Sequence, residues 1–192
     1  MQYGIVYISG GARSGKSCHA ENLALALHEQ EKLRKLYYLA SARIYDAEFG
    51  KRIAAHQSQR HSHFCTIEED RYPSQSLQSL PDNSIVLWEC VTTWLGNLWH
   101  DEHDFESLAQ QEIKQVEAIV QSKKICLLIV SNELGMGIVA TDPRVRAFVD
   151  AHGRLNQLLS HSSLESWFLT SGLALPLKQL GAVQVTPHPY QP

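Results

Sequence analysis

No apolar run in the sequence approaches the roughly 20 residues of a membrane-spanning helix. The amino terminus also lacks the charged-then-apolar pattern of a secretion signal, so the expected location is the cytoplasm. Cysteine is scarce: Cys18, Cys65, Cys90 and Cys126 lie far apart and form no CxxC pair. That pattern excludes a disulfide framework and fits reduced thiols. The histidines show no zinc-like spacing with a cysteine. A net charge of -3 and a pI near 6.3 leave no basic surplus for coating nucleic acid. No repeat, low-complexity tract or linker divides the 192 residues, so a single domain spanning 1–192 is expected. With 44% hydrophobic and 19% charged residues the chain is globular, and long enough to hold a core without a staple.

What is present is an alternation of strand and helix signals. Residues 4–9 (GIVYIS), 36–40 (LYYLA), 85–88 (IVLW) and 125–130 (ICLLIV) are short apolar runs that read as buried parallel strands. Residues 64–67 are a further short strand, and 167–170 and 182–185 are expected to close the sheet. Helical spacing follows the first strand at Ala20, Leu23, Ala24 and Leu27, and resumes over 46–60 with Asp46 as N-cap and Phe49 and Ile53 on one side. Residues 72–83 read as a polar, proline-flanked connection. A short helix carries Trp94, Leu95 and Leu98, and a longer one carries Phe105, Leu108, Ile113, Val116, Ile119 and Val120. Pro143 opens a last helix with a stripe of Val145, Phe148, Val149, Leu155, Leu158 and Leu159. The pattern predicts an α/β sandwich with a largely parallel central sheet.

The strongest chemical signal is Gly10-Gly11-Ala12-Arg13-Ser14-Gly15-Lys16-Ser17, a complete GxxxxGK[ST] loop between a strand and a helix. Its glycines let backbone N–H groups turn toward phosphate oxygens, and the following helix adds its positive end. Lys16 is expected to reach the β- and γ-phosphates and the Ser17 hydroxyl to ligate Mg²⁺. A second acid belongs at the end of a neighbouring strand. Glu89 fits that place, and Glu133 competes with it; the alternative for either is a strand-end residue facing solvent.

On the helix expected over 46–60, Glu48, Arg52, His56 and Arg60 recur every four residues and share one face. A solvated face would look the same. Alternatively, guanidinium groups on either side of an imidazole favour its neutral, nucleophilic form and offer forked partners to phosphate oxygens. His61, His63, His100 and His103 read as surface residues, while Cys18 and His19 ride the first helical turn beside the phosphate loop.

Taken together, SGGARSGKS, YLASARIYDAEFGKRIAAHQSQR with its following TIEE, VLWECVTTWLGNL, SNELGMGIVATD and AHGRLNQLL resemble the bifunctional adenosylcobinamide kinase / adenosylcobinamide-phosphate guanylyltransferase family of cobalamin biosynthesis. The resemblance runs from the first strand to the last long helix and is loose after about residue 172. It implies a RecA-like P-loop NTPase fold and two reactions. One phosphorylates adenosylcobinamide with ATP or GTP. The other transfers GMP from GTP, through a histidine-bound intermediate, to adenosylcobinamide phosphate. The family's histidine falls on His56. Its nucleotide contacts fall on Gly10 to Ser17, on Ala40, Ser41 and Ala42, on Gln57, Ser58, Gln59 and Arg60, and on Glu68 and Glu89. Mg²⁺ is implied at Ser17 and Glu89, and a homo-oligomer, a trimer, as the assembly. The family often has threonine at the place of Ser41 and aspartate at that of Glu89; hydroxyl and carboxylate are kept. A guanine-recognising NKxD motif is absent, so Glu68 or Glu89 is expected to accept from the guanine amino group. The rival readings are a plain P-loop small-molecule kinase, and a nucleotide-dependent switch whose Trp88, Trp94 and Trp99 form a partner surface.

Overall fold

A computed structural model of the chain describes residues 3–45, 48, 50 and 61–185. Seven strands form one sheet: β1 (Gly4–Gly10), β2 (Leu36–Ala40), β3 (Cys65–Glu68), β4 (Ile85–Glu89), β5 (Cys126–Asn132), β6 (Glu165–Thr170) and β7 (Leu173–Pro176), in the order β3-β2-β4-β5-β1-β6-β7. All neighbouring pairs are parallel except β6–β7. Strands β1, β4 and β5 are buried on both faces, which is why they are continuous apolar runs rather than alternating ones.

Five helices are described: α1 (Lys16–Gln30), α2 (Pro73–Ser79), α3 (Val91–Asp101), α4 (Phe105–Ser122) and α5 (Pro143–Ser162). The strand side chains alternate between two cores. Val6, Ile8, Tyr38, Leu87, Leu128 and Val130 pack under Ala20, Ala24 and Leu27 of α1. Ile5, Tyr7, Trp88, Leu127 and Ile129 pack under α2 to α5 through Leu77, Trp94, Leu98, Ile113, Val116, Leu155 and Leu159. The result is the expected three-layer P-loop NTPase sandwich, with β5 standing between the phosphate-loop strand β1 and the acid-bearing strand β4. Trp88 and Trp94 are wholly buried and meet edge to face at 5.3 Å, so they build the core rather than a partner surface.

Chain direction sets the point at which open α/β sheets usually take a ligand. The segment leaving β1 enters α1 on one face of the sheet, whereas the segment leaving β5 enters α5 on the other. Their divergence marks the carboxyl ends of β1 and β5 as the switch point of the sheet, the usual ligand position in open α/β sheets.

Two expectations fail. Residues 72–83 contain a helix, α2, whose Ser74 N–H is accepted by Glu112 Oε1 of α4 at 2.8 Å. This cap comes from a helix distant in sequence, so local spacing carried no trace of it. The closing strand is Leu173–Pro176, turned back on β6, and not 182–185, where exposed residues such as Val183 and Val185 pair with no strand. The alternation AVQV imitates a strand but pairs with none of the described strands; the Ala182 N–H donates instead to the Leu177 carbonyl at 3.1 Å.

Candidate active site

The loop from β1 to α1 is shaped by two glycines. A Cβ on Gly10 would stand 2.4 Å from the Leu169 carbonyl oxygen and 2.7 Å from Ser14 Oγ, so only glycine fits there. Gly15, at φ 95, turns the chain into α1 in the left-handed region. Neither a side-chain cap nor an acid occupies the first turn of this helix, so its N–H groups and positive end remain available to an anion. Ser14 Oγ is buried without a hydrogen-bond partner and lies within this loop. Ala12, Arg13 and Gly15 are exposed, whereas Lys16 is buried and donates from Nζ to the Gly11 carbonyl at 3.1 Å. Burial pulls the Lys16 pKa below its ordinary value, and nearby Cys90 and Glu89 oppose that shift.

Strand register brings the other expected residues to the same level. Ala40 lies opposite both Glu68 on β3 and Glu89 on β4. Ser17 Oγ donates to Glu89 Oε1, and Tyr38 Oη donates to Glu89 Oε2 at 2.8 Å. Glu89 is therefore the acid beside the phosphate loop. Glu133 instead ties its backbone N–H to the Gly10 carbonyl at 3.0 Å, at the exit of β5. Glu68 is exposed at the end of β3. Ser41 is fully buried: its Oγ accepts from Trp88 Nε1 at 2.7 Å and its carbonyl from Asn97 Nδ2 at 2.9 Å. It shapes the strand end from within, and the exposed Ala42 follows it. Arg52, His56, Gln57, Ser58, Gln59 and Arg60 lie outside the described residues, as does most of the helix expected over 46–60.

Several groups at this strand end were not foreseen. Asn132, the last residue of β5, has its N–H accepted by Thr92 Oγ1 at 2.8 Å and its carbonyl held by Asn156 Nδ2 at 3.0 Å. Ser131 Oγ donates to Asn156 Oδ1 at 2.7 Å. His152 Nε2 reaches Thr92 Oγ1 at 2.9 Å and Ser131 Oγ at 3.2 Å. The sequence signal was the placement of His152 and Asn156, four apart, on the apolar stripe of α5 beside Leu155 and Leu159. Elsewhere, His19 packs against Trp167 at 4.9 Å with the rings tilted by 53°, and Cys18 is exposed beside Asn22.

The oxygen-only pair Ser17 and Glu89 suits a hard divalent cation, which needs few protein ligands when substrate phosphates and water complete its shell. Among the described residues, no group of three or more histidine, cysteine or acidic side chains forms a metal cluster. No described helix is long and apolar enough to cross a membrane.

Comparison with known proteins agrees with this geometry. The family model described as cobinamide kinase / cobinamide phosphate guanyltransferase matches residues 6–177. The bifunctional adenosylcobalamin biosynthesis protein CobU of Escherichia coli (strain K12) is 32% identical over 91% of this chain and 99% of its own length. CobU of Salmonella typhimurium is 31% identical over 91% and 99%. The bifunctional adenosylcobalamin biosynthesis protein CobP of Pseudomonas aeruginosa is 35% identical over 89% and 95%. Among solved structures, the flagellar accessory protein FlaH of Methanocaldococcus jannaschii superposes with a TM-score of 0.47 at 11% identity, over 91% of this chain and 76% of that one. A likeness that remote says nothing about activity. The phosphate loop and the match over nearly the whole chain lead to one assignment: this protein belongs to the cobinamide kinase / cobinamide phosphate guanyltransferase family.

Proposed function

We propose that this chain phosphorylates the aminopropanol hydroxyl of adenosylcobinamide with ATP or GTP. It then transfers GMP from GTP to the resulting phosphate, giving adenosylcobinamide-GDP. The observation that carries the reading is the phosphate loop, with its uncapped α1 terminus and the Ser17–Glu89 contact, in a chain matching this family over residues 6–177. Lys16 and the α1 N-terminus neutralise charge on the transferring phosphoryl group, and the loop amides fix its orientation. Ser17 and Glu89 hold Mg²⁺, which when bound neutralises phosphate charge that protein donors alone leave uncompensated.

In the transferase step a ring nitrogen of His56 attacks the α-phosphorus of GTP. The bond to the bridging oxygen breaks, pyrophosphate leaves with the electron pair, and GMP stays on the histidine as a phosphoramidate. A phosphate oxygen of adenosylcobinamide phosphate next attacks that phosphorus and releases the ring. The covalent intermediate divides one transfer into two, which predicts ping-pong kinetics. Arg60 and the neighbouring Gln57, Ser58 and Gln59 contact the nucleotide. Glu68, exposed at its strand end, or Glu89 accepts from the guanine amino group.

The protein works as a homo-oligomer, a trimer, in the cytoplasm. The exposed Met136, Ile138 and Val139, in the segment leaving β5, support an assembly that covers apolar surface near the site. The four free cysteines fit a reducing compartment.

The test is turnover with adenosylcobinamide and GTP, followed by separation of the phosphorylated and GDP-linked corrinoids. The wild type is expected to form both. Lys16→Ala should lose both, by at least about a hundredfold, because one phosphate loop serves both steps. Nucleotide binding without any corrinoid product would defeat the reading.

A further inference from the structure

We infer that Tyr38 is a positioning residue that orients the Glu89 carboxylate toward the cation held with Ser17. This rests on the cation reading given above. Tyr38 is 1% exposed, lies beneath α1 in the core of its face, and meets Phe64 edge to face at 5.6 Å and 88°. A ring so enclosed holds its hydroxyl in one place. Tyr38 precedes Ala40 by two residues on the same face of β2, and Ala40 is the register partner of Glu89, so the phenol runs along the sheet to the carboxylate. The contact is 2.8 Å from Tyr38 Oη to Glu89 Oε2, and it leaves Oε1 facing Ser17.

The chemistry explains why a tyrosine suits this place. A carboxylate turns about its last torsion with little hindrance, so two donors are needed to fix which oxygen points where. An arginine or lysine would fix it equally well but would offset the negative charge that attracts a cation. The phenol is a neutral donor, so it fixes the group and leaves its charge intact. Once the Ser17 hydroxyl turns a lone pair to a cation, its proton points elsewhere and Glu89 loses that donor. Tyr38 keeps its hold on Oε2, and its contribution is greatest in the cation-loaded state.

The experiment measures binding of GTP, supplied as its α,β-methylene analogue so that no GMP can pass to His56, to the full-length chain by calorimetry, with excess Mg²⁺ and with EDTA, for wild type, Tyr38→Phe, Glu89→Gln and the double variant. Wild type should bind GTP more tightly with Mg²⁺. In Tyr38→Phe that enhancement should fall about tenfold, the size expected for one hydrogen bond to a charged group, with the EDTA affinity unchanged. In the Glu89→Gln background the phenylalanine should cause no further loss. An undiminished enhancement in Tyr38→Phe overturns the inference. So does an equal loss with and without Mg²⁺, or a full further loss in the double variant, since each is what a purely structural tyrosine gives. A wild type whose GTP affinity ignores Mg²⁺ would instead remove the cation reading, and the role assigned to Tyr38 with it.

Discussion

Acidifying the protein from about pH 7.5 to about pH 5 is expected to remove roughly 2 kcal/mol of stability through one buried imidazole. His152 is 1% exposed, and burial depresses its pKa from 6.5 to about 4. Its nearest polar partners, Thr92 and Ser131, are neutral hydroxyls that gain nothing from a charged ring. In the unfolded chain the ring takes up a proton as the pH drops below 6.5, whereas in the folded chain it resists until about 4. The unfolded state therefore binds more protons across this window, and stability rises with pH. The contribution is fully present above 6.5 and is lost as the pH falls toward 4. Integrating that difference down to about pH 5 gives the 2 kcal/mol, a sizeable share of the roughly 5–15 kcal/mol that holds a domain folded. The assay is urea unfolding of wild type and His152→Gln at both pH values. Glutamine keeps hydrogen-bonding capacity but does not titrate, so wild type should lose about 2 kcal/mol more than the variant between the two pH values. Equal losses would refute the reasoning. They would mean that His152 titrates as a solvated ring, and that the clamp on Asn132 is looser than its hydrogen bonds indicate.

The glycine that opens the phosphate loop is equally exposed to test. Gly10→Ala forces a Cβ against the Leu169 carbonyl at 2.4 Å, and the loop must shift, so GTP binding measured by calorimetry should be lost. The accompanying fall in stability should be about 1–3 kcal/mol by urea unfolding, and an alanine variant with normal affinity contradicts the loop argument. At the opposite end of the sheet, Arg34 donates to the carbonyls of Asn83 at 2.6 Å, Ser84 at 3.3 Å and Lys124 at 3.4 Å. Arg34→Met leaves these acceptors without that donor and should cost about 3 kcal/mol in urea unfolding, with GTP affinity unchanged.

How much was legible in the sequence follows from where each element gets its stability. Strands β1, β4 and β5 are enclosed on both faces, so composition alone marks them. The phosphate loop was legible because its glycines answer local backbone demands. Helix α2 was not, since PSQSLQS buries only Pro73, Ser74 and Leu77 and takes its cap from Glu112, 38 residues away. Strand β7 escaped notice because four residues, two of them exposed leucines, exist as a strand only by pairing with β6. Within the site, spacing alone left Glu89 and Glu133 level; the strand order and the Ser17 contact place Glu89 beside the phosphate loop. Tyr38 passed as an ordinary strand aromatic, because its hydroxyl finds a partner 51 residues away. His152 and Asn156 passed unnoticed within an apolar stripe, although polar residues at such positions signal an internal network.

On the proposed mechanism, GTP leaves its GMP on His56. The most direct test of that step is intact-mass analysis of the protein after mixing with GTP and Mg²⁺ without corrinoid, followed by peptide mapping. One acid-labile GMP per chain is expected, carried on the peptide containing His56 and absent from His56→Ala. Unmodified protein, or the same adduct on His56→Ala, would contradict the mechanism.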